Sequence, residues 1–335
     1  MKILVTGASG FIGGFLVDEA LKRGYETWAG VRSGSSKARL ADPRIRFIDL
    51  KYADKAALTA QLVDFVRTEG PWDYIIHNAG VTKTLDKADF FRVNAGYTRN
   101  FVEALADSGC VPRKFLLMSS LSAVGRGDEV NFTPIRPEDK PAPDTAYGQS
   151  KLQAEEYVRR QQAFSYVILR PTGVYGPGEK DYFMEIKSVA AGFDFAVGFV
   201  PQRITFIYVK DLATAAFLAL EKPGIRNRTY FVADGDVYTD AEFAGMIQEI
   251  LGKKRVLHAR VPLGIVRLAC GCSEWIGRLT HRVTALNTDK YRILKQRNWI
   301  CDVTPLRNEL GFTPRYPLRK GLEECIEWYR CAGWL

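Results

Sequence analysis

At 335 residues, 47% of them hydrophobic, the chain is long enough to bury a full core as one large domain or two joined ones, which excludes disorder as its default. Its apolar runs, such as Ile3–Val5, Tyr74–Ile76 and Phe115–Met118, fall far short of the roughly 20 residues that cross a bilayer, so no membrane partner is expected. The net charge of +9 would suit a polyanion, but basic residues travel with acids, as in Glu155-Glu156 ahead of Arg159-Arg160, and a solvated surface without a nucleic-acid partner is expected.

The chain opens on Met1-Lys2-Ile3-Leu4-Val5, a strand running straight into glycines, which leaves no room for a leader and makes a cytoplasmic location the expectation. Thr6-Gly7-Ala8-Ser9-Gly10-Phe11-Ile12-Gly13 follows that strand and opens a helix over 13–23. This is the setting of a dinucleotide turn. Gly7 permits the tight bend, Gly10 lets the backbone approach a pyrophosphate, Gly13 lets helix and strand pack closely, and the helix N-terminus offers N–H groups and positive charge to the anion. Gly7, Ser9, Gly10, Phe11, Ile12 and Gly13 are therefore read as cofactor-binding.

Further strands begin near Tyr25, Ile45, Tyr74, Phe115 and Tyr166, separated by helical patterns over 56–69, 94–108 and 147–162, the rhythm of βαβ units around a parallel sheet. The second strand ends Thr27-Trp28-Ala29-Gly30-Val31-Arg32, without the acid that commonly binds the ribose hydroxyls of NAD. Arg32, with Ser33, Lys37 or Arg39 beside it, suits a 2′-phosphate instead. NADP is the preferred cofactor and NAD the alternative.

Phe115-Leu116-Leu117-Met118-Ser119-Ser120-Leu121-Ser122 reads as a buried strand that ends in hydroxyls, at the carboxyl edge where such sheets bind ligands. Tyr147 and Lys151 then stand four apart at the start of a helix, on one face and about 6 Å apart. To exchange protons at neutral pH a tyrosine must fall by about three pKa units, about 4 kcal/mol. One cation at 4–5 Å in an effective dielectric of 20 supplies on the order of 3–4 kcal/mol. Lys151 is thus expected to reach toward the phenol and make Tyr147 a general acid/base, with one of the serines at the strand end orienting the substrate oxygen.

Beyond Gly176-Pro177-Gly178 the pattern loosens into a helical stretch near 182–192 and an aromatic, Gly-rich segment, while 205–220 reads as strand then helix. The expected fold is α/β: a Rossmann-type doubly wound parallel sheet over residues 1–178, with 204–222 returning to it, and a smaller, discontinuous C-terminal substrate-binding domain made of 179–203 and 223–335. The six cysteines are dispersed, and Cys270-Gly-Cys272 lacks both zinc-like spacing and a nearby histidine, so no metal is expected. His77 is read as structural.

Taken together, Thr6–Gly13, Asp49-Leu50, His77-Asn78-Ala79-Gly80, Asn94, Ser119–Gly125, Tyr147–Lys151, Arg170–Pro177 and Tyr208-Val209-Lys210-Asp211 resemble the extended short-chain dehydrogenase/reductases of the NAD-dependent epimerase/dehydratase family, over nearly the whole chain. The resemblance implies that Tyr147, Lys151 and Ser120, or alternatively Ser122, are catalytic, that Asp49 and Leu50 flank the adenine, that Asn78, Ala79, Gly80 and Asn94 run beside the cofactor, and that Pro171 meets the nicotinamide. It also implies a homodimer through the helices over 94–108 and 147–162. Dehydratases of the family carry Asp-Glu after the catalytic hydroxyl, where Leu121 and Ser122 stand here. Its nucleotide-sugar enzymes use an arginine where this chain has Ile204. The expected activity is therefore reversible hydride transfer at a carbonyl or alcohol carbon of a small molecule, in the manner of the reductase and 3β-hydroxysteroid dehydrogenase branch. A nucleotide-sugar epimerase or reductase, and a non-catalytic NADP-binding sensor, are the alternatives.

Overall fold

The computed structural model describes residues 1–284 and 286–335. In chain order its strands are β1 (Lys2–Thr6), β2 (Glu26–Gly30), β3 (Arg46–Ile48), β4 (Tyr74–His77), β5 (Lys114–Met118), β6 (Ser165–Pro171), β7 (Gly173–Tyr175), β8 (Phe193–Val197), β9 (Arg203–Ile204), β10 (Phe206–Tyr208), β11 (Arg228–Val232), β12 (Tyr238–Thr239) and β13 (Leu257–Val261). Seven of them form one parallel sheet in the order β11-β6-β5-β4-β1-β2-β3. Strand order reverses between β1 and β4, so the crossovers leave to opposite faces and a crevice opens at the carboxyl ends of these two strands. The chain has a Rossmann-type α/β fold.

Both faces of the sheet are covered, which is why β5 is buried along its whole length. On one face Leu16, Val17 and Ala20 of the helix Phe11–Lys22 pack with Leu212, Ala216 and Phe217 of the helix Val209–Glu221. On the other, Leu58, Leu62 and Phe65 join Phe101, Leu105, Ala154 and Val158, drawn from three more helices. Local chemistry sets the helix ends. Asp54 accepts from the Ala57 N–H at 3.0 Å to start Lys55–Glu69, and Gly70, at φ 73°, ends it.

The helix expected over 94–108 is built differently. An α-turn over Lys87–Phe90 leads into a π-helical turn, Phe91–Gly96, before the regular helix Tyr97–Asp107. The extra residue in that turn carries Asn94 inward, where its side chain is consumed by bonds described below. The strand and helix expected over 205–220 are β10 and the helix Val209–Glu221, with the two-residue β9 just ahead of them. β9 pairs antiparallel with β12, while β10 pairs parallel with β7.

Beyond residue 178 the core becomes aromatic: Phe206, Tyr208, Phe243 and Tyr329 pack with Ile186, Leu322 and Ile326 and with Tyr175 of β7. β8 and β13 form a separate parallel pair. The helices Leu263–Thr280 and Thr288–Lys295 follow it.

Candidate active site

The glycine turn is specified by backbone clearances. Gly7 has φ +64°, and a Cβ there would stand 2.9 Å from the Ala79 backbone. A Cβ on Gly13 would come within 2.1 Å of the Gly7 carbonyl oxygen. The Gly10 N–H donates to that same oxygen at 3.0 Å. Gly10 caps the helix Phe11–Lys22 with extended backbone and no side-chain hydrogen bond, so the first-turn N–H groups and the positive end of the helix dipole face outward. This cradle fits a pyrophosphate.

A buried polar relay joins the turn to β4. Thr6 Oγ1 accepts from the N–H groups of Asn78 and Ala79 at 3.1 and 3.0 Å and shares a hydrogen bond with His77 Nδ1 at 2.9 Å. His77 Nε2 meets Thr98 Oγ1 at 3.0 Å. Burial, aided by the nearby Lys151 charge, pulls His77 down to about 3, so it stays neutral and structural. Asn94 Oδ1 accepts from the Val81 N–H at 2.8 Å, while its Nδ2 donates to the Val81 carbonyl and to Ser150 Oγ, both at 3.0 Å. The Asn78-Ala79-Gly80 backbone is thereby fixed beside the turn, and a Cβ on Gly80 would lie 2.9 Å from Asn94 Oδ1 and 3.5 Å from Lys151 Nζ.

After β2, Arg32 is exposed and has no carboxylate within salt-bridge distance among the described residues. Its two basic neighbours are already occupied by rings: Lys37 lies over Phe47 at 4.3 Å and Arg39 over Phe15 at 4.9 Å. Asp49 Oδ2 accepts from the Ser33 N–H at 2.7 Å and so tethers the Arg32 loop to the end of β3, while Leu50 is buried beside it.

Thr145 Oγ1 accepts from the Gly148 N–H at 3.0 Å and starts the helix Ala146–Arg160, which places Tyr147 and Lys151 one turn apart over the end of β5. Phe90 meets the Tyr147 ring edge-on at 5.9 Å. The Ser120 hydroxyl faces the Tyr147 phenol and favours its anion, but burial outweighs this and the phenol lies above its ordinary value of 10. Ser122 points its N–H at Ser120 Oγ, 3.2 Å away, and its carbonyl abuts Gly148. One expectation is corrected here. Lys151 Nζ donates to the Met118 carbonyl at 2.8 Å and does not lower the phenol in this state. A buried ammonium needs acceptors, and the end of β5 supplies one; burial also pulls the lysine down to about 8, against the opposing charge of Glu155.

Sequence reasoning passed over the group that holds this arrangement together. Glu155 lies one turn beyond Lys151, wholly buried, and takes a bidentate pair from Arg170 at 2.9 and 2.6 Å. Ser119 Oγ donates to Glu155 Oε1 at 2.5 Å, and Arg159 donates to Oε2 at 3.1 Å. One carboxylate therefore ties the catalytic-helix candidate to Ser119, beside Ser120, and to Arg170, beside Pro171. The available signal was an arginine inside a buried strand and a glutamate at i+4 from Lys151. Among the described residues no group of three or more His, Cys, Asp or Glu could hold a metal ion.

A family model described as the NAD dependent epimerase/dehydratase family matches residues 3–233. The chain is 27% identical to a UDP-glucose 4-epimerase from Vibrio cholerae, covering 97% of this chain and 94% of that protein. It is likewise 27% identical to a 3-beta-hydroxysteroid dehydrogenase from Mycolicibacterium neoaurum (98% and 91% covered) and 26% identical to a ceramide reductase from Caulobacter vibrioides (99% and 96% covered). Among solved structures, a UDP-glucose 4-epimerase from Thermotoga maritima with UDP-glucose superposes with a TM-score of 0.76 at 23% identity, with 99% of each chain covered.

Proposed function

We propose, from the premise that this chain belongs to the NAD-dependent epimerase/dehydratase family, that it is a reductase moving hydride reversibly between a nicotinamide cofactor and the carbonyl or alcohol carbon of an apolar substrate. The observation that carries this reading is the meeting of Ser120, Tyr147 and Lys151 at the carboxyl end of β5, beside the Gly7–Gly13 cradle and the Gly80 backbone. Gly7, Ser9, Gly10, Phe11, Ile12 and Gly13 hold the pyrophosphate; Asn78, Ala79, Gly80, Asn94 and Pro171 line the path to the reacting end; Asp49 and Leu50 flank the adenine.

The cofactor, when bound, supplies or accepts the hydride. Tyr147 gives its proton to the carbonyl oxygen as the alcohol forms and takes it back in reverse. Ser120 donates a hydrogen bond to the same oxygen and stabilises the charge that develops there. Lys151, held on the Met118 carbonyl one turn from Tyr147, would lend its positive charge to the phenolate that remains after proton transfer.

Arg32, without a carboxylate partner among the described residues and standing where an acid would repel phosphate, selects NADP over NAD. The substrate side is assigned to residues 179–203 and 223–335, with 204–222 serving the cofactor domain, in a cytoplasmic enzyme that pairs through the helices Tyr97–Asp107 and Ala146–Arg160. An apolar substrate is favoured over a nucleotide sugar because the position of the family's arginine is held by Ile204 and two buried or half-buried arginines of that side, Arg297 and Arg260, are already spent on main chain. Arg297 donates to the carbonyls of Val197, Val200, Leu294 and Lys295, and Arg260 to Gly198, while Ile204 packs in the aromatic core. The steroid and ceramide named for two relatives are substrates of that kind.

The test is NADPH oxidation with sterol and long-chain ketones, run beside UDP-, GDP- and CDP-sugars. Ketone-dependent turnover that falls by about 10²–10⁴ in Tyr147→Phe, with NADPH binding retained, is expected. Full activity in that variant removes the mechanism, and conversion of a nucleotide sugar without net NADPH loss moves the reading to an epimerase.

A further inference from the structure

The helix Leu263–Thr280 turns the wrong face to water. Its buried stripe is narrow, formed by Val266, Cys270 and Gly277. Ile265, Leu268, Cys272, Trp275, Ile276 and Leu279, spaced three and four apart, make a second and wider apolar stripe that is solvent-exposed, with the four large aliphatic residues and the tryptophan each 51–69% accessible. A soluble surface rarely carries such a contiguous stripe without a partner.

The charge around it is equally uneven. Residues 253–297 contain eleven Lys or Arg against two Asp or Glu, which accounts for the whole formal excess of +9; over the rest of the chain the two signs cancel. Only three of the eleven, Arg260, Arg278 and Lys290, have a carboxylate within salt-bridge distance among the described residues; Lys253, Lys254, Arg255, Arg267, Arg282 and Lys295 are among the eight that do not. Arg267 and Arg278 flank the stripe on the helix itself. At its N-terminal end the helix abuts the loop at Gly198, where Phe199 and Val200 are also exposed.

We propose that this helix lies in the headgroup region of an anionic lipid membrane, its apolar stripe among the upper acyl chains and its basic surroundings against the phospholipid charge. No helix of the described residues is long and apolar enough to span a membrane, and none is needed, because an interfacial helix inserts only one face. A second copy of this chain fits the stripe less well, since it would bring two +9 segments face to face. The helix is also close to the chemistry. The following helix, Thr288–Lys295, packs on it and carries Asp289, which accepts from the Ala146 N–H at 3.0 Å, one residue before Tyr147. Seating on a bilayer would bring the substrate side against the phase in which sterol- or ceramide-like molecules dissolve.

This docking does not depend on the catalytic reading, because it is measured without turnover. The full chain is sedimented with vesicles of phosphatidylcholine alone or mixed with phosphatidylglycerol, at low and high salt. Expected are pelleting with the anionic vesicles only, release by salt, and affinity lower by roughly tenfold or more in each of two variants. One is Leu268→Ser/Trp275→Ser/Ile276→Ser and the other Lys254→Glu/Arg255→Glu/Arg267→Glu. All six positions are exposed, so thermal midpoints are expected to match wild type and to separate lost binding from lost folding. A chain that stays in the supernatant, or an apolar-stripe variant that pellets like wild type, overturns the proposal. So does a dimer that the first variant splits while neither form binds vesicles.

Discussion

The region around the glycine turn and the helix Leu263–Thr280 are built under opposite constraints. In the first, an added methyl group meets backbone at 2.1–2.9 Å at Gly7 and Gly13, and threonine, histidine and asparagine side chains are committed to one another and to neighbouring main chain. In the second, most side chains touch water, and only a thin stripe is enclosed. The contrast teaches where precision is required. The proposed cofactor cradle is made of fixed backbone, whereas the exposed helix is written in side chains that can change without strain.

Substitutions can break or sharpen this contrast. The largest effect is expected at Glu155. Glu155→Gln leaves Arg170 charged and 2% exposed with its partner gone, at a cost of about 3–5 kcal/mol in unfolding free energy by denaturant titration. Replacing both partners with apolar residues is expected to recover most of that loss. If the single variant is as stable as wild type, the tight region is not held by this pair.

The next effect is a pH profile. Lys151 falls from the ordinary 10.5 to about 8 on folding, so between these values the unfolded chain holds a proton that the folded chain has lost. Unfolding then becomes harder as pH rises, and the midpoint of the apo chain is expected to gain on that of Lys151→Met between pH 8 and 10.5, then stay level above. A difference that is flat across that window shows the lysine to be solvated.

A smaller effect belongs to the exposed margin of the cofactor region. Arg32→Ala is expected to weaken NADPH roughly ten- to hundredfold, the scale of charge-assisted hydrogen bonds, with NADH unchanged. Equal losses for both nucleotides would make the arginine a loop residue. The smallest effect is on the open side, where Phe195, 54% exposed on β8, is expected to tolerate Phe195→Ser within about 0.5 kcal/mol.

Much of the tight region was legible because its rules are local. The glycine spacing, the β-branched strands and the Tyr147–Lys151 interval each follow from backbone geometry over a few residues. The π-helical turn at Asn94 was not legible, because it differs from a helix by one inserted residue and leaves the hydrophobic pattern intact. The Glu155–Arg170 pair joins a helix to a strand, and its partners become a pair only when the sheet brings them together. Lys151 was placed correctly on its helix, but its choice of the Met118 carbonyl depends on where β5 ends. The basic surplus of residues 253–297 was present in the sequence, hidden by reading charge in the helices near the site and not by counting it segment by segment.

The single bond from Asp49 to the Ser33 N–H has a practical consequence. It helps fix the loop at Arg32 and Ser33 through main chain, leaving the exposed Arg32 side chain without a part in packing. Exchange of Arg32 is therefore expected, on the proposed cofactor reading, to shift coenzyme preference while the hub beneath stays untouched.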